Sequence, residues 1–126
     1  MSSREYISDI EYLAIPYLDE DPKVMDFRAE ISDMVYADLA KQGRFIYAPI
    51  SSCHHIAKKY GLPRDWEFWK HMDEELVRIC KTLIIVKLDG WKISTGVTAE
   101  IEIAKKYNIP IEDIDPEKYL IQLGKY

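Results

Sequence analysis

Glu100 lies where an amphipathic helix would place an apolar side chain. At about 100° per residue, it falls at about 300° from Val97, inside the apolar arc of a helix predicted over Thr95–Tyr107. A charge among core positions is costly unless a partner or a chemical task offsets the cost. Glu100 is also close to the helix N-terminus, where peptide N–H groups favour an ionised carboxylate. A carboxylate nucleophile requires such an environment.

Asp73 repeats this pattern on a second helix, predicted over Trp66–Cys80. It falls at about 340° from the start of that helix, again inside the apolar arc. Two acids on helices that flank one strand are typical of sites that cleave a bond at an anomeric carbon. One acid attacks or stabilises positive charge, and another group handles the proton of the leaving group. The structural alternative is that each acid caps a loop or pairs with Arg28 or Arg44.

Polar residues near the predicted strand ends are weaker candidates. Ser94 and Gly96 open the helix that carries Glu100, where hydroxyl and N–H groups either cap the helix or hold an anion such as phosphate. His54 and His55 are adjacent in a segment predicted as a loop, and histidines there can bind metal or transfer protons. No Walker motif and no GxGxxG motif is present in the sequence.

The aromatic residues, which include three tryptophans, have two possible roles. Trp91 follows the most apolar predicted strand, where it either stacks on a base or covers the edge of the domain. Trp66 and Trp69 lie on the apolar arc of their helix and are predicted to be core residues. The chain also has nine Tyr and three Phe, so the aromatic residues either fill the core or form a surface for a ring-shaped ligand.

Strands and helices that alternate along the chain must position these residues. Hydrophobic periodicity predicts strands over 10–15, 45–49, 83–88 and 109–114, helices over 24–39, 66–80 and 95–107, a loop over 50–63 and a short helix from 116. This order predicts one α/β domain over residues 1–126, a flavodoxin/Rossmann-like three-layer sandwich with a four- or five-stranded parallel sheet. Ligands bind such sheets at the carboxyl ends of the strands, which singles out the loops after Ile15, Pro49 and Leu88.

Composition limits the partners and the compartment. Of 126 residues, 48% are hydrophobic and 31% are charged, and 17 Lys+Arg against 22 Asp+Glu leave a formal charge of −5, which argues against duplex nucleic acid. No apolar run suits a membrane span, and the start of the chain lacks the pattern of a secretory signal. Cys53 and Cys80 form no CxxC motif, which excludes a cysteine zinc site and suggests reduced thiols in the cytoplasm.

Three segments resemble the nucleoside 2-deoxyribosyltransferase-like superfamily, which includes 2'-deoxynucleoside 5'-phosphate N-hydrolases and small uncharacterised relatives. They are YLAIPY over 12–17, DEEL over 73–76 followed by the strand LIIV, and GWKISTGVTAE over 90–100. The third segment matches the SxGxxxE helix start of that superfamily. The resemblance implies a flavodoxin-like sheet and a site formed between subunits, and hence a homodimer or larger homo-oligomer.

The same resemblance implies roles for individual residues. Glu100 matches the nucleophile that attacks C1', and Tyr12 matches the tyrosine that orients it. Asp73 matches the acid near the leaving base. Ser94 matches the serine that binds the 5'-phosphate in the hydrolase branch.

Four further residues are predicted to contact the substrate. Pro16 and Gly96 belong to the matched segments, and Trp91 and His54 lie in predicted loops at strand ends.

Two departures from the superfamily pattern matter, and the second of them favours hydrolysis over base exchange. Ile15 replaces the usual Gly, and the second acid that transferases carry before the nucleophile has no match, since Ser94 stands near its place. The expected function is a nucleoside or nucleotide N-glycosidase or deoxyribosyltransferase with no metal or cofactor. The alternative is a non-catalytic nucleotide-binding or sensor domain, and a weaker one is an enzyme of another class that uses His54.

Overall fold

The computed structural model describes residues 7–124, so the expectation about a secretory leader lies partly outside it. The elements of this range follow the predicted order, with one additional helix after the second strand. In chain order they are β1 (Glu11–Ala14), α1 (Pro22–Lys41), β2 (Ile46–Tyr47), α2 (Pro49–Tyr60), α3 (Trp66–Ile79), β3 (Thr82–Val86), α4 (Thr95–Lys106), β4 (Ile111–Ile114) and α5 (Glu117–Gln122).

The four strands form one parallel sheet in the order β2-β1-β3-β4. In the central pair, Leu13 lies opposite Ile84. The chain passes from β1 to β2 on one side and then returns to β3 on the other. The strand order therefore reverses between β1 and β3, and this opens a crevice at their carboxyl ends.

Helices cover both faces of the sheet, because strand residues alternate between two apolar clusters. Leu13 of β1 packs with buried residues of α1 and with Tyr119 of α5. Tyr12, its neighbour, points to the opposite face and packs with buried residues of α3 and α4 such as Val77 and Val97. The prediction of a three-layer α/β fold with a four-stranded parallel sheet is confirmed.

One predicted loop is a helix. The Ser, His, Gly and Pro content of residues 50–63 predicts a loop, but Pro49–Tyr60 forms α2. Pro49 begins the helix, where the missing N–H costs nothing, and Gly61 ends it with φ of 68°. These two residues were the signals of a helix start and stop. His54 and His55 are therefore helix residues.

None of the helices within residues 7–124 combines the length and apolar character that crossing a membrane requires.

Candidate functional site

A cavity of about 210 Å³ lies at the carboxyl ends of the first three strands. It is lined by Ile15 and Tyr17 after β1, by Pro49 at the start of α2, and by Ile93 and Ser94 before α4. The position agrees with the crevice expected where the strand order reverses. Asp73 of α3 and Glu100 of α4 both line this cavity.

Glu100 is held at the cavity by a tyrosine of the central sheet. Its side chain is buried, with 5% relative exposure, and its Oε2 accepts a 2.5 Å hydrogen bond from the hydroxyl of Tyr12. Burial raises the pKa of Glu100 to about 8, the Tyr12 hydrogen bond opposes that rise, and the charge of Asp73 adds to it. Glu100 therefore holds its proton more tightly than a surface glutamate does.

Asp73 is the second buried acid of the cavity, with 7% relative exposure. Its Oδ1 is buried and has no hydrogen-bond partner within residues 7–124. Burial raises the pKa of Asp73 to about 6, and an interaction with the Tyr12 hydroxyl opposes that rise. A buried acceptor without a partner is costly in a folded protein, so this oxygen is free to meet a ligand.

The two arginines that were candidates to neutralise these acids bind elsewhere. Arg44 makes a bidentate ion pair with Glu11 at 2.8 Å and also binds Glu112 at the edge of the sheet. Arg28 donates to the backbone carbonyls of Tyr17 and Leu18 at 3.2 Å and of Asp89 at 3.3 Å. Within the described part of the chain, no ion pair neutralises the two acids of the cavity.

The first turn of α4 forms one wall of the cavity. The Ser94 side chain accepts a 3.2 Å hydrogen bond from the Val97 N–H, so the predicted capping role is confirmed. Thr95 and Gly96 also line the cavity. The role of Ser94 and Gly96 in holding an anion stays a prediction.

His54 lines the cavity from α2, while its neighbour His55 is exposed. The Nδ1 atom of His54 lies 2.5 Å from the Tyr17 hydroxyl, and its Nε2 lies 2.9 Å from Asp26 Oδ1. The helix thus separates the two histidines, since side chains one residue apart diverge by about 100°.

The profile of a protein family described as "Domain of unknown function (DUF1937)" matches residues 9–114. The chain belongs to this family. The matched range runs from before β1 to the end of β4, so the DUF1937 domain includes Tyr12, Asp73 and Glu100. A comparison with curated proteins finds no match.

The aromatic lining of the DUF1937 cavity differs from the expected one. Trp66 and Trp69, predicted as core residues, are half-buried and line the cavity. Trp91 is absent from the lining formed by residues 7–124. It packs against the core cluster that contains Tyr12, Val77 and Val97, with Lys87 Nζ at 5.0 Å and Lys92 Nζ at 5.7 Å from the centre of its ring. The apolar arc of α3 therefore faces the cavity at its N-terminal turns and the core further on.

Pro16 is also placed differently from the expectation. It is fully buried and lies outside the described lining, while the residues on either side of it, Ile15 and Tyr17, reach the cavity. The reason is that consecutive side chains of an extended segment point in opposite directions.

The polar lining residues that were not predicted as site residues include Tyr17, Arg64 and Asp65. Tyr17 ends the YLAIPY segment, which was a usable signal. Arg64 lies in the short connection between α2 and α3 and offered none.

No group of three or more His, Cys, Asp or Glu side chains within residues 7–124 is arranged to hold a metal ion.

Proposed function

We propose that this protein is an N-glycosidase that cleaves the bond between base and sugar in a nucleoside or nucleotide. The observation that carries the proposal is that Asp73 and Glu100, both buried, line one cavity without an arginine partner, and that Tyr12 binds Glu100. Paired carboxylates of this kind suit substitution at an anomeric carbon. The sequence resemblance described above supports the same chemistry.

The two acids have different roles in the proposed reaction. An ionised Glu100 oxygen attacks C1' of the sugar, and the electron pair of the C1'–N bond leaves with the base. Asp73 supplies the proton that the departing base requires. Asp73, now ionised, takes a proton from the water molecule that attacks C1' of the resulting ester, which releases the sugar, returns the Glu100 carboxylate and restores the proton on Asp73. The Tyr12 hydroxyl stabilises that carboxylate by donating to it.

The proposed roles need a single proton on the pair of acids. The pKa of Asp73 is about 6 and that of Glu100 about 8, so the pair holds one proton between these values. Burial is deeper at Glu100, which favours the proton on that acid. The reactive arrangement is the other one, with the proton on Asp73 and Glu100 ionised.

The walls of the cavity suit a planar base. Trp66 and Trp69 present aromatic surface on the side of Asp73, and Ile15 and Ile93 add apolar surface. Aromatic side chains bind bases by stacking, which is tolerant of base identity. The proton donor and the stacking surface therefore belong to the same helix, α3.

Base release tests the proposal. The protein is incubated with a panel of nucleosides and nucleoside 5'-monophosphates, and the free base is separated and measured by chromatography. Glu100→Gln abolishes release, while Glu102→Gln, an exposed acid of the same helix, leaves it unchanged. Asp73→Asn lowers the rate by about 10²–10⁴-fold for bases that need protonation. Release that persists in the Glu100→Gln variant would refute the mechanism.

A second function, a non-catalytic nucleotide-binding module, is favoured by one observation. The pKa of Glu100, at about 8, leaves this side chain mostly protonated at neutral pH, and a protonated carboxyl is a poor nucleophile. The same panel separates the two functions, since a binding module retains its ligands in calorimetry but releases no base.

A further inference from the structure

Tyr17, His54 and Asp26 form a chain of hydrogen bonds that runs from the cavity wall to the surface. The Tyr17 hydroxyl lies 2.5 Å from His54 Nδ1, and His54 Nε2 lies 2.9 Å from Asp26 Oδ1. Tyr17 and His54 both line the cavity. The mechanism proposed above uses none of these three residues.

The charges along this chain determine where its protons lie. Asp26 also binds the Lys58 ammonium at 3.0 and 3.1 Å, and the Lys58 and His54 hydrogen bonds hold the pKa of Asp26 below its usual value. An ionised carboxylate only accepts hydrogen bonds, so the Nε2 atom of His54 must carry a hydrogen. In the neutral ring, Nδ1 is then an acceptor.

The hydroxyl of Tyr17 consequently donates its only hydrogen to His54. Burial raises the pKa of Tyr17, so the hydroxyl keeps that hydrogen at neutral pH. Once the hydrogen is committed to Nδ1, the oxygen can only accept a hydrogen bond from the cavity side. A cavity wall that accepts hydrogen bonds and does not donate them favours ligand groups that carry a hydrogen-bond donor.

Arg64 adds donors beside this acceptor. Arg64 also lines the cavity, and its charge and its interaction with the Tyr17 hydroxyl oppose the rise in the pKa of Tyr17. Its Nη1 donates to Met25 Sδ at 3.6 Å, and a thioether is a weak acceptor. Arg64 makes no ion pair with the acidic residues of the described range, so N–H groups remain for a ligand.

We propose that Tyr17 and Arg64 read the edge of a nucleobase on which an N–H donor lies beside an acceptor nitrogen or oxygen. The donor meets the Tyr17 oxygen and the acceptor meets Arg64. His54 and Asp26 are positioning residues, because they fix the direction of the Tyr17 hydrogen. This inference rests on the proposed function only for the class of ligand, a nucleoside or nucleotide.

The first test reads the proton positions without a ligand. Nitrogen NMR of the His54 ring is recorded in mildly alkaline buffer, in which a free imidazole is neutral. The expected result is a protonated Nε2 and a hydrogen-bonded, unprotonated Nδ1, with the Nδ1 signal shifting in Tyr17→Phe. A protonated Nδ1 in the neutral ring would overturn the inference.

The second test compares two ligands that differ in one donor. Binding of 2'-deoxyadenosine and of purine 2'-deoxyriboside, which lacks the 6-amino group, is measured by calorimetry in the Glu100→Gln background. With no further substitution, this background binds 2'-deoxyadenosine about tenfold more tightly than purine 2'-deoxyriboside, which is the effect of one buried hydrogen bond. Tyr17→Phe abolishes this preference, and Arg64→Met lowers the affinity for both ligands by a similar factor.

Two further variants separate positioning from packing. His54→Phe keeps the ring that packs edge-on against Tyr17, at 5.4 Å between centroids, but removes the acceptor. The Tyr17 hydroxyl is then free to donate into the cavity, and the amino preference disappears. His55→Phe makes the same change at the exposed neighbour and leaves the preference intact.

The outcomes distinguish this inference from the proposed function, because binding is measured instead of turnover. Binding with the expected preference supports the inference even if no base is ever released. Equal affinity for both ligands in the parent, or a preference that survives Tyr17→Phe, overturns it. Failure of both compounds to bind overturns the inference, while the release of base from the wider panel decides the proposed function separately.

Discussion

The hydroxyl of Tyr12 donates a 2.5 Å hydrogen bond to Glu100 Oε2, across a separation of 88 positions in the chain. Tyr12 lies on the central strand β1 and Glu100 on α4, so the bond joins the sheet to the helix that covers it. Both side chains are buried. The bond fixes one carboxyl oxygen and favours the ionised form of the acid that we propose as nucleophile.

Removing the Tyr12 hydroxyl tests this relationship. Tyr12→Phe raises the pKa of Glu100 further, because the hydrogen bond that opposes the effect of burial is lost. We expect kcat/KM for base release to fall by about 10- to 100-fold, the range of a hydrogen bond to a charged group. Tyr47→Phe is the control: its ring lies 5.8 Å from that of Tyr12, and the change removes the same group. Equal losses in both variants would contradict a specific role for Tyr12.

The two acids also predict a pH profile. If the singly protonated pair is the reactive form, kcat/KM rises as pH increases through about 6, where Asp73 titrates, and falls above about 8, where Glu100 titrates. Rates of base release measured across this range should form a bell. The Tyr12→Phe variant should move the alkaline limb to higher pH. An activity independent of pH over this range would rule out the pair as its source.

The buried state of Glu100 predicts how stability depends on pH. Its pKa is about 8 in the folded protein against an ordinary value of 4.5, so the folded state binds the proton more tightly. The stabilising contribution is therefore complete below about pH 4.5 and is lost as pH rises through 8, at roughly 1 kcal/mol per pH unit. Asp73 adds a change of the same sign that ends near pH 6.

Urea denaturation between pH 6 and 9 measures this effect. The parent should lose free energy of unfolding over that interval, while Glu100→Gln, which cannot ionise, should show a much flatter dependence. Glu102→Gln, on the exposed side of α4, should follow the parent. A parent protein whose stability does not fall with pH would contradict the raised pKa.

Gly90 offers a test of the hydrogen bonds by which Arg28 joins the loop after β1 to the loop after β3. Gly90 has φ of 97°, and a Cβ there would lie 2.8 Å from Arg28 Nη2, which itself binds the carbonyl of Asp89. Gly90→Ala therefore imposes backbone strain and also displaces the guanidinium that joins the loops after β1 and β3. We expect a loss of about 2 kcal/mol in the free energy of unfolding and a higher KM for base release.

Gly43→Ala is the matched control for Gly90→Ala. Gly43 has φ of 83°, but a Cβ there would meet no atom within 4 Å. This variant should lose only the cost of the left-handed backbone, about 1 kcal/mol, and keep the parent KM. An equal effect of both substitutions on KM would show that Arg28 does not position the loops.

The sequence by itself determined the layer architecture and the identity of the two buried acids. Alternation of strands and helices set the parallel sheet, and helical periodicity placed Asp73 and Glu100 on buried faces. Both inferences depend on local spacing, which determines the face of an element that a side chain occupies. The helix at Pro49–Tyr60 was mispredicted because its polar content outweighed the start and stop signals at Pro49 and Gly61.

Only the tertiary structure decided what each buried face meets. Hydrophobic periodicity could not show that the start of α3 faces a cavity, where Trp66 and Trp69 are lining residues. Nor could it show that Trp91 packs against the core instead of lining the cavity. It could not pair Tyr17 with His54, since those residues come together through the packing of α2 beside the end of β1. Contacts between elements distant in the chain depend on how whole helices and strands pack, and spacing within one element carries no information about that.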